Sequence, residues 1–286
     1  MKNQFEIAGG TVLGTNHQRC GKNNQDAFLW QITEDAVVIV VADGCGSKPH
    51  SEVGAKIGSQ LIVNEIITNL YENGFLDALG NDIATNNLWS LIERNVLEKI
   101  YALAHSMDRD LHAQAIADYF LFTMIGAIAT KNKTIIFSLG DGAYIINGEV
   151  TQIGPFPDNA PPYLAYQLLD PQTLDIDQRL LHIKTKRIIE TPEIKNLLIG
   201  TDGVCDLIRQ SEKQIPGSQD QVGQINWFWE NDKCFSNPDM IRRRLSMMNR
   251  QSLRIDEKKH LAKESGILPD DTTLVVMRQK KGGDKM

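Results

Sequence analysis

The chain has 286 residues, 42% of them hydrophobic and 23% charged, with a formal net charge of −6; this suits a globular protein with a sizeable core, in one large domain or two small ones. The acidic balance excludes the basic footprint of a nucleic-acid binder. No apolar run approaches the roughly 18 residues of a membrane span, and the opening "MKNQFEIAGGT" lacks the apolar stretch of a secretory signal, so no membrane is expected and a reducing cytoplasm is the expected compartment.

The first third alternates between strand and helix signals. "FEIAGGTVLGT" (5–15), "DAFLWQIT" (26–33) and "DAVVIVVAD" (35–43) are rich in β-branched and aromatic residues and bounded by turn formers, which predicts strands. From residue 51, Val53, Ile57, Leu61, Val63, Ile66, Ile67 and Leu70 recur at helical spacing, and Gly74 suits the left-handed end of that helix. A second helix is predicted over 88–111, with Leu88, Leu91, Ile92, Val96, Ile100 and Leu103 as its stripe. Next come the predicted antiparallel strands "YFLFTMIGAIAT" (119–130), "TIIFSLGDGAYIING" (134–148) and "EVTQIG", with turns at Asn132-Lys133 and Asn147-Gly148.

A proline-rich excursion without clear period follows at 154–172, placed as a flap or an ordered loop. Strands resume at "LLHIKTKRI" and "NLLIGTDG". A polar insert at about 209–236 precedes a predicted helix "NPDMIRRRLSMMNRQSL", where Asn237 can cap and Pro238 fits the first turn. Its three arginines read as a solvated face. The last strand is "TTLVVMRQ", and the tail 280–286 is expected to fray. No repeat or linker divides residues 1–286, so the expected fold is one α+β domain, two packed antiparallel sheets with helices outside.

Three strand-associated places carry acids. "VVIVVADG" ends in Asp43-Gly44, "NLLIGTDG" in Asp202-Gly203, and Asp270-Asp271 precede "TTLVVM"; a fourth acid, Asp141, sits between glycines in "LGDGA". One such Asp is ordinarily a turn former. Four that converge repel one another unless a cation sits among them, and an all-oxygen ligand set points to a hard ion, Mg²⁺ or Mn²⁺. Two such ions can generate hydroxide and clamp a phosphoryl group.

The order of segments, "NQDAF", "VADGxGS…GA", "GDG", "TDG" and "DDTTLVV", resembles the metal-dependent protein phosphatases of type 2C, and most of all their divergent bacterial branch with DGxGS. The likeness runs from about Gly14 to Met277. It implies a β-sandwich flanked by helix pairs, and hydrolysis of phosphoserine and phosphothreonine in proteins by a metal-activated water, with a cognate Ser/Thr kinase as a family-level partner. It implies that Asp43 bridges two Mn²⁺ or Mg²⁺ ions, that the Gly44 carbonyl is a ligand, and that Asp202 and Asp270 complete the second ion. Asp141 resembles the place of a third, weaker ion. Gln25 and Asp26 match a pair beside the metal-bound waters.

The match departs from its relatives at three points. The position five before Asp26, where better-known members have Arg, is Gly21; Arg19 is expected to hold phosphate instead, with its planar fork, and Lys22 is the fallback. Cys45 stands where eukaryotic members have a His, and Ser47 replaces a Gly. Alternatives are a pseudophosphatase acting as a binding module, or a phosphatase of a small phosphorylated molecule.

Cys45 is disfavoured as a nucleophile, because "CGSKPHS" has no Arg to cradle phosphate; a small side chain beside a turn comes first and a redox-sensitive thiol second. The four cysteines, Cys20, Cys45, Cys205 and Cys234, form no CxxC pair. His17, His50, His105, His112, His182 and His260 are read as surface or structural, and Trp227 and Trp229 as anchors of the insert. "AGGTVLG" lacks the spacing of a phosphate-binding loop.

Overall fold

The computed structural model describes residues 1–174, 176–255 and 261–280. The expected tail beyond Lys280 and His260 lie outside the described residues. In chain order the strands are β1 (Phe5–Val12), β2 (Asp26–Ile32), β3 (Ala36–Gly44), β4 (Phe122–Thr130), β5 (Lys133–Leu139), β6 (Gly142–Ile146), β7 (Glu149–Ile153), β8 (Lys184–Glu190), β9 (Asn196–Gly200), β10 (Ser252–Ile255), β11 (Leu261–Glu264) and β12 (Thr272–Gln279). The helices are α1 (Thr15–Cys20), α2 (Ser51–Glu72), α3 (Phe75–Ala78), α4 (Asp82–Met107), α5 (His112–Tyr119), α6 (Gly203–Arg209), α7 (Trp227–Glu230), α8 (Lys233–Ser236) and α9 (Met240–Met248).

Ten strands form two antiparallel sheets, ordered β1-β12-β9-β6-β7 and β2-β3-β4-β5-β8; β10 and β11 make a separate ribbon. The unbroken apolar run of β3 follows from its central place. Val37, Ile39 and Val41 enter the core between the sheets, with Ile199, Val275 and Met277 opposite. Val38, Val40 and Ala42 face the other way, into a core shared with α2 and α4. A strand covered on both faces needs no polar alternation. On the far side, Leu198, Leu274 and Val276 pack with Val204, Leu207, Ile241 and Leu245.

The fold agrees with the expected sandwich, and β12 spans the residues predicted for it. Several elements differ. The single strand expected over 134–148 is two, β5 and β6, in different sheets. The chain changes sheet at Gly140-Asp141-Gly142, where both glycines have positive φ, so Asp141 lies on a crossing and not within a strand. Thr15 opens helix α1 and does not extend β1. The helix expected from 88 begins at Asp82, because the Asn81 side chain accepts hydrogen bonds from the Ile83 and Ala84 N–H groups. Tyr119 ends α5 and does not begin β4. Helix α9 starts at Met240; Asn237 Oδ1 accepts from the Asp239 N–H, a turn that holds Pro238 outside the helix.

In α2 the buried face is shifted from the expected stripe. Val53, Ile57, Leu61 and Ile67 are only half-buried, whereas Gly54, Ala55, Gly58, Ser59, Ile62, Val63, Ile66 and Leu70 are buried. Small residues let the first half of the helix lie close to the sheet: a Cβ on Gly58 would fall 2.1 Å from the Phe122 ring. Hydrophobic periodicity alone cannot reveal a face built from Gly, Ala and Ser.

Candidate metal centre

Strand pairing gathers the acids at one end of the sandwich. Asp26, the first residue of β2, stands opposite Asp43 near the end of β3, and Asp43 is in turn opposite Thr123 of β4. Asp141 arrives on the sheet crossing, Asp202 follows β9, and Asp270 precedes β12. Asp43, Asp141, Asp202 and Asp270 line one cavity of about 440 Å³, together with Asp158 and His17. Among the described residues, no Lys or Arg lines it.

Charge crowding is written into these carboxyls. Burial, then Asp26, Asp202, Asp270 and Asp141, push Asp43 well above the usual carboxylate range. Burial, with Asp270 and Asp141 beside it, raises Asp202 to about 7. Asp141 is raised by burial and by Asp270. Asp26 is raised by burial, Asp271 and Asp202, partly offset by hydrogen bonds from Thr273 and Thr201. Asp26 Oδ1 and Asp202 Oδ1 are buried without a hydrogen-bond partner. Unpartnered buried carboxylate oxygens are costly, and a hard cation is the species that such an oxygen set accommodates.

The loop after Asp43 is fixed by its backbone. The Gly44 N–H donates to Gln25 O at 3.0 Å and the Cys45 N–H to Leu121 O at 2.9 Å. Ser51, at the start of α2, donates to Cys45 O and accepts from Gln25 Nε2 at 2.7 Å. A Cβ on Gly44 would lie 2.8 Å from Gln25 O, so the approach of β2 to this turn requires glycine there. Cys45 is half-buried, its Sγ 3.2 Å from Ser47 Oγ, and all four cysteines are free. The excursion at 154–172 forms one wall of the cavity through Asp158, Pro161, Tyr163 and Tyr166. Burial and the neighbouring Cys45 hold the Tyr163 hydroxyl above its ordinary range.

The two expected phosphate-binding cations are placed differently. Arg19 is exposed on α1, donates to Ser265 Oγ at 3.0 Å, and is not in the cavity wall. Lys22 donates to the carbonyl of Gly46, which is itself a wall residue. His17 lines the cavity with its Nδ1 3.0 Å from Asp271 Oδ2. Asp271, a second acid whose role the sequence did not disclose, is buried; Oδ1 accepts from the Gly14 N–H at 2.7 Å and Oδ2 from the Gln25 N–H at 2.6 Å. His17, Asp270 and Asp271 bring ligand atoms within 4.8 Å of one another. Both Asp271 oxygens accept from backbone N–H groups, so Asp271 ties the segments after β1 and before β2 to the start of β12. Nothing in the sequence marks Thr201, which stands in the same "TDG" as Asp202; its hydroxyl donates to Asp26 Oδ2 at 2.9 Å.

Two stacked antiparallel sheets, helices on both outer faces and an acid-walled cavity at one end define an α-β-β-α sandwich. The family model for protein phosphatase 2C matches residues 13–230, and the chain belongs to that family. A serine/threonine-protein phosphatase 3 of Escherichia coli (strain K12) is 26% identical over 149 residues, 50% of this chain and 53% of that protein; the chain thus spans about half the length of the curated relative it matches. Among solved structures, serine-threonine phosphatase 2C from Toxoplasma gondii superposes with a TM-score of 0.52 at 14% identity, over 97% of this chain and 95% of that one. Serine/threonine phosphatase Stp1 from Staphylococcus aureus gives 0.50 at 16% identity, over 97% and 96%. At these identities the structures speak for the fold. Among the described residues, no helix is long and apolar enough to cross a membrane.

Proposed function

We propose that this chain is a metal-dependent phosphatase of phosphoserine and phosphothreonine in proteins, with residues 1–286 acting as one domain. The observation that carries the reading is Asp43, held against four other carboxyls beside a cavity that has acids in its wall and, among the described residues, no Lys or Arg. Such a cavity repels a phosphate dianion unless cations are present. Asp43, the Gly44 carbonyl, Asp202 and Asp270 are the groups that would hold two Mn²⁺ or Mg²⁺ ions, with Asp141 for a third. When bound, such ions supply an activated water and neutralise phosphate oxygens.

The protein's own groups have distinct tasks in this reading. Asp26, opposite Asp43, accepts a proton or hydrogen bond there, and the Gln25 carbonyl holds the Gly44 N–H. Lys22, at the Gly46 rim, is the cation best placed to meet a phosphate oxygen; Arg19 would have to leave Ser265 to do so. The excursion at 154–172 is a flap whose Tyr163 and Tyr166 confine the substrate. The E. coli relative's name supports phosphoserine or phosphothreonine as the substrate, and a cognate Ser/Thr kinase is the partner this activity would oppose. The placement of Arg19 outside the cavity favours a second reading, a binding module with weak catalysis.

The test is hydrolysis of a phenyl phosphate ester and a phosphothreonine peptide with and without Mn²⁺. The expected result is Mn²⁺-dependent turnover that Asp43→Asn lowers by at least about 100-fold. Turnover that survives both EDTA and this substitution would discard the metal mechanism. Calorimetric binding of Mn²⁺ without turnover of either substrate would favour the binding module. Lys22→Ala is expected to raise KM more than Arg19→Ala; the reverse order would return the phosphate to Arg19.

A further inference from the structure

A closed ring of hydrogen bonds joins the two sheets behind Asp43. The Asp26 N–H donates to Asn24 Oδ1 at 2.9 Å, and Asn24 Nδ2 donates to Thr11 Oγ1 at 2.7 Å. The hydroxyls of Thr11 and Thr273 share a hydrogen bond. The Thr273 N–H donates to Thr201 Oγ1 at 3.1 Å, and Thr201 Oγ1 donates to Asp26 Oδ2 at 2.9 Å, which closes the ring. Thr11 belongs to β1 and Thr273 to β12 in one sheet; Asp26 belongs to β2 in the other. Asp26, Thr201 and Thr273 are buried.

With the Asp26 carboxyl ionised, the polarity of the ring is forced at Thr201. A backbone N–H can only donate, so Thr201 Oγ1 must accept from Thr273. Its single hydroxyl proton is then left for Asp26, whose Oδ2 is the acceptor. With Oδ2 held, the other oxygen, Oδ1, is the one without a partner, and it belongs to a residue directly opposite Asp43. Residues opposed in an antiparallel pair project from the same face.

We infer that Thr201 is a positioning residue: it fixes the rotamer of Asp26 so that Oδ1 stays uncommitted beside Asp43, and thereby sets the affinity of the centre for its cations. The functional half of this inference rests on the metal-dependent reading above; the positional half stands on the ring alone. Valine matches threonine in shape but has no hydroxyl, so Thr201→Val removes the hydroxyl that donates to Asp26 Oδ2 and leaves the Thr273 N–H without its acceptor. Serine keeps the hydroxyl and loses only a methyl.

The experiment compares crystal structures and Mn²⁺ calorimetry of the wild-type chain, Thr201→Val and Thr201→Ser. In Thr201→Val the Asp26 carboxylate is expected to leave its wild-type rotamer and Mn²⁺ affinity to fall at least tenfold, while Thr201→Ser keeps the rotamer and stays within threefold of wild type. An unmoved Asp26 in Thr201→Val, or a Thr201→Ser variant as impaired as Thr201→Val, would overturn the inference. If Thr201→Val does not fold, Thr201→Ala against Thr201→Ser isolates the hydroxyl, since both lack the methyl. A wild-type chain that binds no Mn²⁺ brings down the metal reading, and the Asp26 rotamer then decides the positioning role by itself.

Discussion

Asp26 and Asp43 stand directly opposite each other on β2 and β3, where like charges ordinarily destabilise a strand pair. Asp271 raises Asp26 from behind, and Asp202, Asp270 and Asp141 add to the crowding at Asp43. The fold therefore spends stability to assemble this end of the sandwich, and the sign of that cost can be measured.

In chelator, the metal-free chain should be more stable at pH 5 than at pH 8. Asp202 is held at about 7, and Asp26, Asp43 and Asp141 are all raised from the carboxylate value. A raised carboxyl keeps its proton longer in the folded state. From about pH 4 upward the folded chain therefore binds more protons than the unfolded one, and stability falls as pH rises through the folded value. Urea midpoints at the two pH values in EDTA check this, with Asp202→Asn expected to narrow the gap. Midpoints that rise from pH 5 to pH 8, with no effect of Asp202→Asn, would contradict it.

Asp271 does structural work that its neighbour Asp270 does not. Two buried backbone N–H groups, of Gly14 and Gln25, depend on its oxygens. Asp271→Ala should cost about 3 kcal/mol, since it leaves two donors unsatisfied, and Asp271→Asn about 1 kcal/mol, since one acceptor oxygen remains. Equilibrium urea unfolding at neutral pH measures both. An alanine variant as stable as wild type would show that water replaces the carboxylate.

Much of the architecture was legible because it rests on local pattern. The apolar runs of β3 and β12 and the acids at "ADG", "TDG" and "PDD" stand in the sequence at the places where strands end. What was not legible depends on tertiary contact. The break between β5 and β6 looks like one continuous strand until Gly140 and Gly142 adopt positive φ. Short helices such as α1 and α6 have too few turns to carry a period and are held by packing. The roles of Asp271 and Thr201 follow from partners 257, 246 and 175 residues away along the chain, a distance at which no spacing rule operates.

Gly58 tests the close approach of α2 to the sheet. In an exposed helix, glycine to alanine gains up to about 1 kcal/mol. Here the new methyl would fall 2.1 Å from the Phe122 ring, and Phe122 is itself almost fully buried. Gly58→Ala should instead lose about 1–3 kcal/mol through overpacking. Thermal unfolding of Gly58→Ala against the wild-type chain decides the sign.

Cys45 invites a nucleophilic reading, because it stands in the wall of the cavity beside the acids. Its surroundings argue otherwise. No Lys or Arg lines that cavity among the described residues, and the thiol's near neighbours are the Ser47 hydroxyl and Tyr163. None of these cradles a phosphate for in-line attack by sulfur. Its backbone N–H is fixed on Leu121 O, which is the work of a turn residue. Cys45→Ser should therefore keep Mn²⁺-dependent hydrolysis within about threefold of wild type, as for a substitution worth roughly 0.5 kcal/mol. Loss of a true nucleophile would lower turnover by about four orders of magnitude or more. Steady-state kinetics on a phenyl phosphate ester separate the two outcomes, and a fall of the larger size would make Cys45 the reacting group.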